Sequence, residues 1–278
     1  MLVTLVLWLN TISNSIAHIL LAPIAWLPGW LSASLIASVT GIVMLFVFKQ
    51  TSNQSALKRT RNQIKANLIA LSLFKEELRV CLRVQLTLLA QAGRLLALSA
   101  VPILVMAVPM CLALAQLSLW YQARPLACGE QAIVTVHLKP TINESLPEIK
   151  LTPTSAVDVT MGPVRVPASN MICWKIEAIS RGLHDLTFEW GEQIFTKELA
   201  ISNSFLPVSR ERPSSNPSSM LKYPRERPFA AGSPVQSIQI EYPDRVSWTS
   251  GTKSWMAYWF FTSLIAAFVA RPLLKVDF

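Results

Sequence analysis

The sequence holds three histidines, His18, His137 and His184, and none stands at metal-ligand spacing from another His or a Cys. The chain contains no G-x-S-x-G, no Walker A sequence and no H-E-x-x-H. The paired carboxylates Glu76 and Glu77 read as a solvated helix face. These residues point away from catalysis and toward no bound metal or cofactor. The four cysteines are Cys81, Cys111, Cys128 and Cys173; the last two share one polar segment, where an oxidising compartment would permit a disulfide. Two buried thiols are the alternative.

The concentrated chemistry is charge. The net charge is +9 over 278 residues. Nine of the basic residues fall between Lys49 and Arg94, against only Glu76 and Glu77. From Leu119 to Gly251 thirteen basic residues balance thirteen acidic ones. The excess is local, so DNA is not the expected partner. It lies between two apolar runs, where the positive-inside rule puts cytoplasmic charge. Charged residues make up 15% of the chain, against roughly 25% in soluble domains, and the mean hydropathy is +0.41. A lipid environment is expected.

The elements that carry this charge follow from the apolar runs. Residues 1–48 hold no Lys, Arg, Asp or Glu. Within them 31–48 is an uninterrupted apolar or small stretch, about 27 Å of helix and enough for a first span. Residues 1–30 are broken by Asn10, Asn14, His18, Pro23 and Pro28, and Trp8, Trp26 and Trp30 suit headgroup level. They read as an interfacial helix; a further span is the rival, and a cleaved signal peptide lacks its positive n-region. Residues 49–94 read as a cytoplasmic, coiled-coil-like helical hairpin. Leu57, Ile64, Leu68, Leu71, Leu78, Leu82 and Leu89 form its apolar stripe, with a turn near 74–77. A second span covers 95–118 and contains Pro102 and Pro109, each of which removes a donor and should kink the helix.

Residues 119–252 carry β character. Segments 131–138 and 174–179 alternate, 184–190 and 194–201 follow at short spacing, and 236–242 supplies a last strand. An immunoglobulin-like β-sandwich is expected, with a Pro/Ser-rich loop over 204–234. A third span, 253–271, is stopped by Arg271 and Pro272, leaving a tail at 272–278. The fold class is therefore an α-helical membrane protein with three transmembrane helices, a cytoplasmic hairpin and an extracytoplasmic β domain. The N-terminus faces out and the C-terminus in, in a bacterial inner membrane with the β domain in the periplasm.

The hairpin SNQSALKRTRNQIKANLIALSLFKEELR (52–79), followed by the proline-containing VPILVMAVPMCLALAQL (101–117) and a third span at 255–270, resembles the YidC insertase family and its three-span relatives. That resemblance covers under half the chain and implies a membrane-protein insertase or membrane chaperone with no cofactor. The family lines a groove with an arginine in its first core helix, and 31–48 has none. The nearest basic groups are Lys49 and Arg94. Ser34, Ser38, Gln116, Thr262 and Ser263 could line such a groove and lower the cost of passing polar groups through hydrocarbon; close helix packing is the plainer use of the small ones. Lys58, Arg59, Arg61 and Lys65 would contact ribosomes or nascent membrane proteins. The family's Gram-negative members place their β-sandwich before the core, whereas here it lies between the second and third spans. The other reading is a membrane-anchored structural or assembly protein whose β domain binds an envelope partner.

Overall fold

A computed structural model of the chain describes residues 2–21, 23–73, 77–139, 147–274 and 276. The helices are α1 (Leu2–Leu21), α2 (Gly29–Thr51), α3 (Gln54–Leu73), α4 (Leu78–Tyr121), α5 (Pro217–Lys222) and α6 (Trp255–Leu274). The strands are β1 (Gln131–Leu138), β2 (Lys150–Leu151), β3 (Val157–Val166), β4 (Met171–Ala178), β5 (Gly182–Trp190), β6 (Gln193–Ile201), β7 (Glu211–Arg212) and β8 (Val235–Ile240). The chain divides into two compact units, residues 1–33 with 111–257 and residues 34–110 with 258–278.

The first unit is built on two antiparallel sheets, ordered β3-β4-β1-β8-β7 and β2-β5-β6. β1 sets the pattern. Its residues alternate outward and inward, and Val134 and Val136 stand opposite Trp174 and Ile172 of β4. These side chains share one core with Leu186, Phe188, Leu199 and Ile201 of the smaller sheet. The Trp174 ring meets Phe188 edge-on at 5.5 Å. Five strands match the expectation from alternation. β3 departs from it, because VDVTMGPVRV runs along a sheet edge exposed on most of its length and is broken by Gly162–Pro163 and two register shifts.

The Pro/Ser-rich segment 204–234 is not a bare loop. It contains β7 and α5 and is tied down by buried charge. Alternation along β6 turns Phe195, Lys197, Leu199 and Ile201 inward, so an ammonium enters the core. Fully buried, Lys197 donates to the Glu226 carboxylate at 2.5 Å and to the Ser209 and Glu198 carbonyls at 2.8 and 3.0 Å. Burial pulls its pKa down and Glu226 opposes the shift. Glu226 also accepts from the Ser209 hydroxyl and the Glu198 N–H, and Arg225 grips Glu198 through two nitrogens.

The helical elements correct several sequence boundaries. Among the described residues four helices, α1, α2, α4 and α6, are long and apolar enough to cross a membrane, α1 being the segment read as an interfacial helix with a span as its rival. α1 is regular through Asn10 and Asn14 because their amides find acceptors outside the helix. α2 continues past Lys49 to Thr51, and α3 restarts behind Asn53, whose side chain caps it by accepting from the Ala56 N–H at 3.1 Å. The turn expected near 74–77 falls on residues 74–76, outside the described ones. Beyond it the second hairpin arm and the second span are one helix, since no breaker separates Arg94 from Leu95. α4 also runs unbroken through Pro102 and Pro109. α6 extends through Arg271 and Pro272 rather than stopping there.

Candidate functional site

In the second unit, the small residues of α2 form a seam with α6. Ala37 is fully buried. A Cβ at Gly41 would overlap the Ser263 carbonyl oxygen, so the two backbones touch there. The Ser34 and Tyr258 hydroxyls lie 2.6 Å apart, and Leu45 clusters with Ala270 and Val276. Contacts ascend both chains together, so α2 and α6 run parallel. Of the expected groove residues, Ser34 and Ser263 therefore meet α6 and α2 as packing partners. Ser263 spends its hydroxyl on the Phe260 carbonyl of its own helix at 2.9 Å. Ser38 and Thr262 are partly buried, Lys49 is partly buried near the end of α2, and Arg94 is exposed midway along α4.

The hairpin belongs to the same unit. Asn67 of α3 donates to Gln91 of α4 at 3.0 Å. Lys58, Arg59 and Lys65 are exposed and Arg61 is partly buried, as a basic outer face requires. Of the expected apolar stripe, Leu57, Ile64 and Leu71 are shielded, the Leu78 side chain lies outside the described ones, and Leu68, Leu82 and Leu89 are exposed, so the covered face differs on α4. Over residues 81–95 of α4 the shielded positions are Cys81, Val84, Leu88, Gln91 and Leu95, while Leu82, Leu86 and Leu89 face outward with Leu68, Ile69 and Leu73 of α3. Spacing alone gives the period of a stripe and not which of two apolar faces is covered.

In the first unit, three helix ends meet the β domain at the end of α4. The Tyr121 hydroxyl donates to Ser32 Oγ, at the start of α2, at 3.0 Å. Its carbonyl accepts the N–H of Gly251, just ahead of α6, at 2.8 Å. Arg245 Nε donates to the Trp120 carbonyl at 2.8 Å, and its guanidinium lies 4.3 Å from the centre of the Phe205 ring. Burial brings the Arg245 pKa down to about 10, which leaves it charged at neutral pH. Phe205 packs on Trp120 and Tyr121 at 5.6 and 5.5 Å. Gly251 has φ +94° and no room for a Cβ against the Arg245 carbonyl, so only glycine fits.

Gln116, proposed for a groove, belongs to this unit instead. It is buried and donates to Asn14 Oδ1 of α1 at 2.5 Å. Asn14 and Asn10 donate in turn to the carbonyls of Pro224 and Met220, each at 2.8 Å. The polar edge of α1 is thus clasped by the segment around α5, and Leu5, Trp8, Ile12, Ile16 and Ile19 remain exposed on the other side. The isolated Asn and Gln in apolar runs were the signal for this clasp.

Cys128 and Cys173 are free thiols, one exposed and one half-buried, so they form neither the bridge nor the buried pair that the sequence left open. Gly129, next to Cys128, bonds the Ala178 carbonyl at the far end of β4. Cys173 sits five residues back along that strand, roughly 17 Å at the rise of a β-strand and beyond the reach of about 7 Å. Among the described residues no group of three His, Cys, Asp or Glu could hold a metal ion. Neither family models, nor curated proteins, nor solved structures yield a match to this chain.

Proposed function

We propose that this chain is a membrane-anchored assembly protein whose β domain, an immunoglobulin-like sandwich, binds an envelope partner outside a bacterial inner membrane. In this reading α2, α4 and α6 span. The parallel packing of α2 and α6 supports it, because two parallel spans need an odd number of crossings between them, and among the described residues α4 is the apolar candidate there. α1 lies in the interface. The middle of α1 bonds a segment holding Lys222, Arg225 and Glu226, and such a polar segment belongs in water rather than at mid-bilayer. The basic hairpin then faces the cytoplasm.

The observation that carries the proposal is the junction at Tyr121. Within this unit the β domain is joined to the end of α4 and the start of α6 by backbone hydrogen bonds and a half-buried guanidinium, which suits a domain presented to a partner. The insertase reading, with nascent membrane proteins as clients, keeps one specific support: the outward leucines of the hairpin. The closed α2–α6 seam weighs against it, since Ser34, Gly41 and Ser263 are used in packing.

Site-specific photocrosslinking in cells tests the choice. Probes at Met161 and Ile194, exposed on the β domain, should give discrete adducts with an envelope protein. Probes at Ser38, Thr262 and Leu86 should give no adduct with nascent chains. Nascent-chain adducts at those three positions, with none at the β domain, would reverse the assignment.

A further inference from the structure

The chain between β8 and α6 reverses the usual sense of a surface turn. Its sequence, RVSWTSGTK (245–253), holds no charge between Arg245 and Lys253. Two of its polar side chains fold inward. Thr249 and Ser250 are buried, the Thr249 N–H donates to Ser247 Oγ at 3.3 Å, and Ser254 donates to the carbonyls of Ser250 and Ser247 at 2.7 and 3.2 Å. Ser247 and Ser250 close the turn as an antiparallel bridge. The apolar side chains point out instead: Val246 is 100% exposed and Trp248 69%. Arg245 is turned back onto the Trp120 and Leu206 carbonyls, so its charge is withdrawn from the tip.

We infer that this turn is a lipid-contact site, inserting Val246 and Trp248 at the headgroup–hydrocarbon boundary of the leaflet beneath the β domain. Its position names the occupant. Gly251 bonds the Tyr121 carbonyl, which sets the turn at the end of α4, and α6 begins four residues later at Trp255. With α4 and α6 read as spans, the turn adjoins the ends of both at the same face of the bilayer. A tight turn of satisfied hydrogen bonds with a Trp at its tip suits the interface, where an indole keeps its ring in apolar surroundings and its N–H near water. The exposed ammonium of Lys253 can pair with lipid phosphate. Exposed Trp8, Trp26 and Trp30 in the same unit suit the same boundary. The inference rests on the reading of α4 and α6 as spans.

The test uses the full chain in phosphatidylcholine vesicles, with the native cysteines replaced by serine and one spin label per variant. Val246→Cys reports the turn. Leu264→Cys, outward on α6, reports the span, and Glu192→Cys, in the β5–β6 turn, reports water. Collision rates with oxygen and with a water-soluble nickel chelate are compared. Position 264 should favour oxygen strongly, 192 should favour nickel, and 246 should favour oxygen by a smaller factor, at a depth just below the phosphates. If 246 matches 192 while 264 still favours oxygen, the turn is in water and the inference fails alone. If 264 also matches 192, α6 does not span and the underlying reading fails with it. A label at 246 shielded from both reagents would mean burial against protein, which also overturns the inference.

Discussion

Tyr121, the last residue of α4, donates its hydroxyl to Ser32 near the start of α2 across 3.0 Å, while its carbonyl holds Gly251 ahead of α6. One residue thereby ties together three helix ends. Removing only the hydroxyl should matter little, because Ser32 Oγ still donates to the Gly29 carbonyl at 2.9 Å. Tyr121→Phe should cost about 1 kcal/mol. Gly251→Ala should cost more, about 2 kcal/mol or above, since it combines a left-handed backbone with overlap on Arg245. Thermal unfolding of the purified protein in detergent measures both, and the ranking should be glycine well above tyrosine.

The α2–α6 seam should be intolerant of bulk. Gly41→Leu forces apart backbones that touch at Ser263, and overpacking of this kind costs about 1–3 kcal/mol. Val39→Leu, on the exposed side of α2, should be neutral. Unfolding in graded detergent denaturant should separate the two variants; equal stability would mean that the helices do not meet at Gly41.

Lys197 and Glu226 should behave as a coupled pair. Lys197→Met leaves a carboxylate with 11% exposure beside the core and should cost about 3–5 kcal/mol. Glu226→Gln leaves the fully buried ammonium without its counter-charge and should cost a similar amount. The double variant should recover much of the loss, as a thermal double-mutant cycle would show. Additive losses would mean that the ion pair does not hold segment 204–234.

Orientation follows from charge. In a cysteine-free background, a cysteine in place of the exposed Asn62 of α3 should react with an impermeant maleimide only from the cytoplasm. One replacing the exposed Asn216 before α5 should react only from outside. Reaction of both from one side would exclude a crossing by α4.

Hairpin charge should govern any anionic partner. Reversing Lys58, Arg59, Arg61 and Lys65 to Glu changes a patch about 10–12 Å long, comparable to the Debye length of about 8–10 Å, so the charges act together. Ribosome cosedimentation, if it occurs, should fall steeply with this change and with added salt. Stability should shift by only about 0.5 kcal/mol for each of the three exposed sites, Lys58, Arg59 and Lys65.

The sequence by itself determined what depends on neighbours within a turn or two. Alternation in QAIVTVHL specified β1 and its buried face, because a strand repeats every two residues. The uncharged runs marked α2, the second half of α4 and α6, and the charge asymmetry separated the hairpin from the β domain. Even there the tertiary structure moved boundaries, since Pro272 sits within the last helical turn. Contacts between distant residues were decided only by the fold. Ser34 meets Tyr258 across 224 positions, and Asn10 meets Met220 across 210. Read locally, Asn10, Asn14 and Gln116 look like interruptions or groove polarity; folded, Gln116 bonds Asn14, and Asn14 and Asn10 bond carbonyls around α5. Lys197 looks like a solvated strand residue until Glu226 arrives to neutralise it. Hydrogen bonding and charge pairing need partners within about 3–4 Å, and proximity on that scale between remote segments is a property of the packed chain.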